Sequence, residues 1–147
     1  MVSVIIAAHG HMAEGLLGSS AMIVGPSDDV VAVTFEQSEG PDDLLAKYAA
    51  AVEASTSEQH LILCDLFGGS PYNAAARFAA ERPDADVVSG ANLPMLVEVL
   101  ARRMAGADLP ELVEVARTAG KAGIKILSEE FTPTTTPTIS DDEGDEL

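Results

Sequence analysis

The stretch VSVIIAAHGHMAEGLL, residues 2–17, predicts a strand followed by a helix across a short turn. Residues 2–8 form a nearly unbroken apolar run, typical of a strand covered on both faces of a parallel sheet. Gly10 allows the backbone to turn, and apolar residues at helical spacing follow from Ala13 onward. His9 is therefore predicted at the carboxyl end of a first strand, where open α/β sheets place their ligands, and beside a helix N-terminus that favours an anion.

Strand patterns alternate with helical patterns through the rest of the chain. The further strands are predicted over residues 30–35, 60–66 and 86–89, and the further helices over residues 41–54, 70–82, 95–105 and 110–119. This alternation indicates parallel strands joined by right-handed crossovers. Residues 124–127 (IKIL) alternate apolar and charged side chains, which predicts a short edge strand. We therefore expect an α/β fold, a doubly wound and mainly parallel sheet of four strands plus this C-terminal edge strand, with helices on both faces.

The composition changes near the C-terminus. Residues 1–128 are predicted to form one domain, because a chain of 147 residues can bury a substantial core. The segment that follows contains TPTTTPTIS and DDEGDEL, which cannot build a core. Residues 129–147 are therefore predicted to be a disordered, acidic tail rich in Thr and Pro.

Charge and cysteine content exclude several classes of protein. The chain has 8 basic and 24 acidic residues, and its formal net charge of −16 argues against nucleic acid or an anionic membrane as a partner. Its one cysteine, Cys64, excludes an internal disulfide and is predicted to be a buried apolar residue in a reducing compartment. The chain shows neither a signal-peptide pattern nor an apolar run of about 18 residues. We expect a cytoplasmic protein.

Three predicted loops meet at the carboxyl edge of the sheet. They carry His9 with Gly10, residues 65–70, and residues 90–94. A carboxylate that accepts one ring N–H of a histidine fixes the tautomer and leaves the other nitrogen free as a nucleophile or base. Asp65 is the predicted carboxylate, because it leaves a buried strand at this edge. The amides of Gly10, Gly68 and Gly69, together with Ser70, are the predicted phosphate contacts.

Each of these residues also has a plainer interpretation. His9 could be an ordinary loop residue or a metal ligand, although one histidine does not make a metal site. Asp65 could cap a loop, and Ser70 could be an N-cap, with Pro71 at the first helical position. His11 is expected to face solvent, and His60 to be structural, at the opposite end of the sheet from His9.

The nucleotide-binding and metal-binding patterns of known enzymes are missing from the sequence. It contains no P-loop, no dinucleotide fingerprint, no kinase lysine motif and no zinc spacing. No cofactor and no metal are therefore predicted. The remaining chemistry is that of a histidine that relays a group rather than a site that splits its own ATP.

Three motifs carry a resemblance to a known family. AHGHMAEGLL, LCDLFGGSPYNAAAR and SGANLPMLVE resemble the mannose-type IIA components of the bacterial phosphoenolpyruvate-dependent sugar phosphotransferase system, over about residues 2–128. The resemblance implies that His9 takes a phosphoryl group from phospho-HPr and passes it to a IIB component. It also implies that Asp65 hydrogen-bonds His9, and that Ser70 is the serine of the family's GGSP turn. The implied fold is doubly wound and forms a homodimer by exchanging a C-terminal strand, which would be residues 124–127.

The sequence departs from the family pattern at one point, and three other functions compete with this interpretation. Some relatives continue through a linker into a IIB domain, whereas this chain ends in its tail, so a separate IIB chain and, through it, a membrane sugar permease complex are the expected partners. The alternatives are a phosphoryl donor subunit for a dihydroxyacetone kinase, a small metal chelatase, and a non-catalytic regulatory module. The GGSPYN and NLPML motifs favour the sugar branch over the kinase subunit.

Overall fold

The computed structural model describes residues 1–130, which form four strands and six helices. The strands are β1 (Val2–His9), β2 (Val30–Phe35), β3 (Gln59–Cys64) and β4 (Ala85–Val88). The helices are α1 (Met12–Val24), α2 (Pro41–Ala54), α3 (Ser70–Ala79), α4 (Leu93–Met104), α5 (Leu109–Ala122) and α6 (Leu127–Glu130). The four strands predicted for the main sheet and the five longer helices all form, with ends that differ by a few residues.

All strand pairs in the sheet are parallel, and the spatial order is β2-β1-β3-β4. The chain moves from β1 outward to β2 and then returns across β1 to β3, so the winding direction reverses between β1 and β3. The doubly wound α/β fold expected from the sequence is thereby confirmed. In such sheets the crevice at the carboxyl ends of the two strands that flank the reversal is the usual ligand site. His9 ends β1, and Asp65 directly follows β3.

Two apolar layers cover the sheet, one on each face. The layer with α1, α4 and α5 includes Val4, Ile6, Leu61, Leu63, Leu96 and Leu112. The layer with α2 and α3 includes Ile5, Ala7, Ile62, Tyr48, Cys64 and Ala74. Side chains alternate between faces along a strand, so Ile5 and Ala7 place His9 on the face that carries α3. Cys64 is fully buried, as predicted, and burial raises the pKa of its thiol to about 12.

The predicted C-terminal edge strand is absent from the described residues. Residues 124–126 lie outside any helix or strand, and residues 127–130 form the short helix α6. A strand is stable only when its backbone groups pair with a neighbour, and this segment pairs with neither edge of its own sheet. Its apolar side chains are instead exposed, to 75% at Ile124 and 73% at Leu127.

Most of the predicted tail lies outside the described residues. Of residues 129–147, the structure describes Glu129 and Glu130, which complete α6. Within residues 1–130, none of the helices has both the length and the apolarity needed to cross a bilayer.

Candidate active site

The structure brings the ring of His9 and the carboxylate of Asp65 into direct contact. Nδ1 of His9 lies 2.7 Å from Oδ2 of Asp65, and the backbone N–H of His9 donates to the same oxygen at 2.9 Å. The His9 side chain is 50% exposed, whereas that of Asp65 is 11% exposed. The histidine is therefore held from its buried side, and its other ring nitrogen, Nε2, has no hydrogen-bond partner among the described residues.

The environment of Asp65 keeps its carboxylate ionised. Burial alone would raise the pKa of Asp65, but hydrogen bonds from the backbone and ring of His9 and from the N–H of Leu66 hold that pKa below its usual value. An ionised carboxylate can only accept hydrogen bonds. Nδ1 of His9 must therefore carry the proton that it shares with Asp65, and in the neutral ring Nε2 carries the lone pair.

Two neighbours confine the His9 ring. The ring meets Phe35 edge to face, with centroids 5.7 Å apart and an interplanar angle of 80°. A Cβ added to Gly69 would lie 3.0 Å from Cε1 of His9 and 3.3 Å from the carbonyl oxygen of Leu66. A glycine is therefore needed at position 69, because the loop between β3 and α3 (residues 65–69, the α3 loop) approaches the imidazole so closely.

The predicted phosphate contacts differ in whether their amides are free. The N–H of Gly10 donates to the carbonyl of Phe35 at 2.8 Å, and the N–H of Gly69 donates to Leu66 at 3.1 Å. The positive φ of Gly10, +58°, allows the chain to turn there from β1 towards α1. The amides of Gly68 and Ser70 have no acceptor among the described residues.

The start of α3 corrects one expectation. The sequence predicts Ser70 as the N-cap, but the N-cap is Gly69, whose carbonyl accepts the first helical hydrogen bond from Asn73 at 2.9 Å. Ser70 is consequently the first helical residue and not the residue whose side chain would cap α3. The reason is that Gly69 has the extended backbone of a cap, while Ser70 is already helical. The Ser70 hydroxyl is thus left available for a ligand.

Sequence reasoning missed the apolar residues beside the site. Leu66 and Phe67, which follow Asp65, are exposed to 61% and 73%, and Met12 at the start of α1 is exposed to 47%. Phe35 was missed as well, although it pairs with His9 in the β1–β2 register. The available signal for Leu66 and Phe67 was the pair of large apolar residues in LFGG, directly before two glycines that predict a turn.

The other two histidines are not in contact with this pair. His11 faces solvent, as predicted, with its ring nitrogens 3.1 Å from carboxylate oxygens of Glu14 and of Glu36. His60 is 3% exposed and shares a 2.6 Å hydrogen bond with Ser3 at the start of β1. It therefore lies at the amino edge of the sheet, opposite His9. Within residues 1–130, no three His, Cys, Asp or Glu side chains are grouped so that they could hold a metal ion.

Comparison with known proteins identifies the family. The family model EIIA-man, described as "PTS system fructose IIA component", matches residues 3–117. The chain is 46% identical over 104 residues to the fructose-specific EIIA component of Bacillus subtilis (strain 168), covering 70% of this chain and 71% of the relative. It is 34% identical over 127 residues to the mannose-specific EIIAB component of Escherichia coli (strain K12), covering 86% of this chain but 39% of that longer relative.

Solved structures agree with these sequence matches. Phosphotransferase system component EIIA from Streptococcus agalactiae superposes with a TM-score of 0.81 at 31% identity, covering 88% of this chain and 99% of the other. The mannose/sorbose-specific IIA subunit from Enterococcus faecalis gives a TM-score of 0.76 at 30% identity, covering 94% and 98%. The resemblance found in the three sequence motifs is confirmed. The chain belongs to the EIIA-man family and is a mannose-family IIA component, a phosphoryl carrier in phosphotransferase-dependent sugar uptake.

Proposed function

We propose that His9 accepts a phosphoryl group from phospho-HPr and passes it to a IIB component during sugar uptake. The observation that carries this proposal is the 2.7 Å contact between Nδ1 of His9 and Asp65, which leaves Nε2 as the free nitrogen of a half-exposed ring. A relay histidine needs both features, a lone pair aimed outward and a partner that stabilises the charge developing on the ring.

The transfer step follows from this geometry. The Nε2 lone pair attacks phosphorus, a bond forms between Nε2 and phosphorus, and the bond to the donor atom on phospho-HPr breaks with its electron pair left on the donor. The Nδ1 proton stays in the hydrogen bond to Asp65, where the ionised carboxylate offsets the positive charge that develops on the imidazole. Transfer to IIB repeats the step in the opposite sense, with His9 as the leaving group.

The first turn of α3 is the proposed cradle for the phosphoryl oxygens. A phosphoryl group adds roughly −1.5 to −2 charge near neutral pH. Helix N-termini present N–H groups without intrahelical acceptors, and their positive dipole end favours an anion. The amides of Gly68 and Ser70 and the Ser70 hydroxyl are the proposed donors. Gly10 and Gly69, whose amides already have acceptors, contribute the turn and the space for the ring.

We assign the exposed apolar residues around His9 to partner binding. Met12, Leu66 and Phe67 flank the site on the α1 and α3 sides. A phosphoryl carrier must exclude water while the group moves between two proteins, and an apolar rim serves that purpose. HPr and IIB would use this rim in turn, and the membrane permease complex is reached through IIB. We place these transfers in the cytoplasm, in keeping with the single buried thiol of Cys64.

A homodimer is also part of the proposal. One side of β4 has no neighbouring strand among the described residues, and Ile124, Ile126 and Leu127 are exposed beyond the end of α5. An unpaired edge and an unpaired apolar segment are complementary when two copies exchange them. Light scattering of the full chain is expected to give a dimer, and Ile126→Asp to weaken it. A monomeric wild type would contradict this assignment.

The proposed function is tested by transfer of labelled phosphate. The full chain is incubated with labelled phosphoenolpyruvate, enzyme I and HPr, and the acid-labile label on the chain is counted, followed by release on addition of a IIB component. We expect His9→Ala to abolish the label. His60→Ala is the matched control, because it removes a histidine from the same sheet and should still label once folded. Equal labelling of His9→Ala and wild type would contradict the proposal.

A further inference from the structure

His11 joins two loops beside the site through two carboxylates. Its Nδ1 lies 3.1 Å from Oε2 of Glu14 in α1, and its Nε2 lies 3.1 Å from Oε1 of Glu36, which follows β2. Two peptide units separate His11 from His9, so their Cα atoms are within about 7 Å of each other. His11 and Glu36 therefore lie near His9, because Glu36 directly follows Phe35, the residue that pairs with His9 in the β1–β2 register.

A carboxylate oxygen beside each ring nitrogen favours the form of His11 with a proton on both. A neutral imidazole has one N–H and one lone pair, so one of the two carboxylates would face a lone pair. The imidazolium form instead directs an N–H or positive charge towards both. The hydrogen bond with Glu14 and the charges of Glu36 and Glu14 raise the pKa of His11 above its usual value. Among the described residues, these two carboxylates are the charged groups in contact with His11.

The Glu36 side of this cluster is braced from α2. Glu39 accepts hydrogen bonds at 2.8 Å from the backbone N–H of Glu36 and from Nζ of Lys47. Lys47 also donates to the carbonyl of Thr34 in β2 at 2.8 Å. The loop that carries Glu36 is therefore fixed in place, and the neighbouring Phe35 contacts the His9 ring. Glu36 is thereby a fixed partner for His11.

We propose that protonated His11 is a positioning residue for phosphoryl transfer, offsetting one of the two negative charges of Glu14 and Glu36 so that they repel the phosphoryl dianion arriving at His9 less strongly. The inference rests on the proposed function of His9. Without the imidazolium, the two glutamates would leave two uncompensated negative charges near His9, in a protein that is already acidic. With it, one net negative charge remains, and the loops after β1 and β2 are tied together.

Proton binding at His11 and phosphorylation of His9 must then favour each other. The negative phosphoryl group stabilises the nearby imidazolium, and by linkage the imidazolium stabilises the phosphorylated state by the same factor. We expect the pKa of His11, followed by NMR, to be higher in the phosphorylated chain than in the free chain. An unchanged His11 pKa on phosphorylation would overturn the inference.

A set of variants tests the charge argument kinetically. Phosphorylation by purified phospho-HPr is measured from about pH 6 to about pH 9, the range that spans histidine titration. His11→Gln is expected to slow transfer by about two- to fivefold at neutral pH, the range for an exposed charge near a reacting group. The ratio of its rate to wild type should approach one at high pH, where His11 of the wild type is neutral and carries no more charge than the glutamine of the variant. His11→Arg should keep the wild-type rate at neutral pH and extend it to higher pH.

Two further variants separate charge from structure. In the His11→Gln background, Glu14→Gln with Glu36→Gln should restore the rate, because the repelling charges are gone. Arg102→Gln, which breaks an exposed pair with Glu98 in the last turn of α4, is the matched control and should leave the rate unchanged. The inference fails if His11→Gln matches wild type at every pH, or if His11→Arg behaves like His11→Gln. A wild-type chain that takes no phosphate on His9 would instead reject the proposed function, and the inference with it.

Discussion

His9 and His60 lie in adjacent strands of one sheet, yet their surroundings give them opposite properties. His9 ends β1 at the carboxyl edge, half-exposed, with a carboxylate oxygen 2.7 Å from Nδ1. His60 is near the start of β3 at the amino edge, 3% exposed, and bonded to the Ser3 hydroxyl. Its nearest carboxylate, that of Asp84, is 3.9 Å from Nε2.

The difference shows what a relay histidine requires beyond the imidazole itself. Burial of His60 lowers its pKa and removes both nitrogens from the reach of another protein. At His9 the supporting carboxylate is on the buried side and the free nitrogen on the open side. The edge of the sheet makes this possible, because loops that diverge at the carboxyl ends of β1 and β3 leave room above the ring.

The carboxylates beside His9 and His60 can each be replaced by an amide, and the largest expected effect comes from the replacement beside His9. Asp65→Asn should slow phosphoryl transfer by about 100-fold or more, the usual range for loss of a partner in proton and charge control. An asparagine that turns its NH₂ group towards Nδ1 forces the proton onto Nε2, the nitrogen that must attack. The measurement is the initial rate of His9 phosphorylation by phospho-HPr.

Asp84→Asn is the matched control for that comparison. It changes the carboxylate nearest to His60 and should leave the transfer rate within about twofold of wild type, since it is an exposed substitution away from the site. Equal slowing by both variants would mean that Asp65 acts through the overall negative charge of the protein surface and not through its hydrogen bond to His9.

A smaller effect is expected from filling the space beside the His9 ring. Gly69→Ala places a methyl group 3.0 Å from Cε1 of His9 and forces the ring or the loop to move by a few tenths of an ångström. A displacement of this size in a reacting group should slow transfer by about tenfold, with the fold retained.

The control for crowding is a glycine that has free space around it. Gly18 lies on the exposed side of α1, and an added Cβ there meets no atom within 4 Å. Gly18→Ala should preserve the transfer rate and stabilise the protein by about 0.5–1 kcal/mol, as expected for a helix interior. If Gly69→Ala transfers phosphate as fast as Gly18→Ala, the close approach of the α3 loop to the ring has no role in the reaction.

The smallest effect concerns the stability conferred by His60. Because burial lowers its folded-state pKa, the unfolded chain binds a proton near its ordinary pKa of about 6.5 while the folded chain does not. The stabilisation is complete above about pH 6.5 and is lost as the pH falls towards the folded-state pKa. The free energy of unfolding, measured with urea from about pH 5 to about pH 7, should therefore rise with pH in the wild type. It should rise less steeply in His60→Gln, by at most about 1.4 kcal/mol per pH unit. An identical slope in both proteins would contradict a buried neutral His60.

Much of the fold and the central pair could be predicted because the signals are local. The apolar run before His9 predicts a buried strand, and the strand that precedes Asp65 predicts the same edge of the sheet. The alternation of strands and helices then leaves few possible topologies. The separation of His60 from His9 follows from the same reasoning, since one residue begins its strand and the other ends it.

The remaining features depend on register or on a partner. The contact of Phe35 with His9 requires the β1–β2 register, and the pairing of His11 with Glu36 requires the position of the loop after β2. Whether Ser70 or Gly69 caps α3 is decided by one residue's backbone angles, which propensities do not resolve. Residues 124–127 have a strand pattern, but within one chain they pair with neither free edge of the sheet.

The most direct test of the account is to locate the phosphorus atom on the imidazole. The full chain, labelled with ¹⁵N and phosphorylated through HPr, can be studied by NMR experiments that detect coupling between phosphorus and each ring nitrogen. The account predicts phosphorus on Nε2 of His9, with the Nδ1 proton retained in the hydrogen bond to Asp65. Phosphorus on Nδ1, or on any residue other than His9, would contradict it.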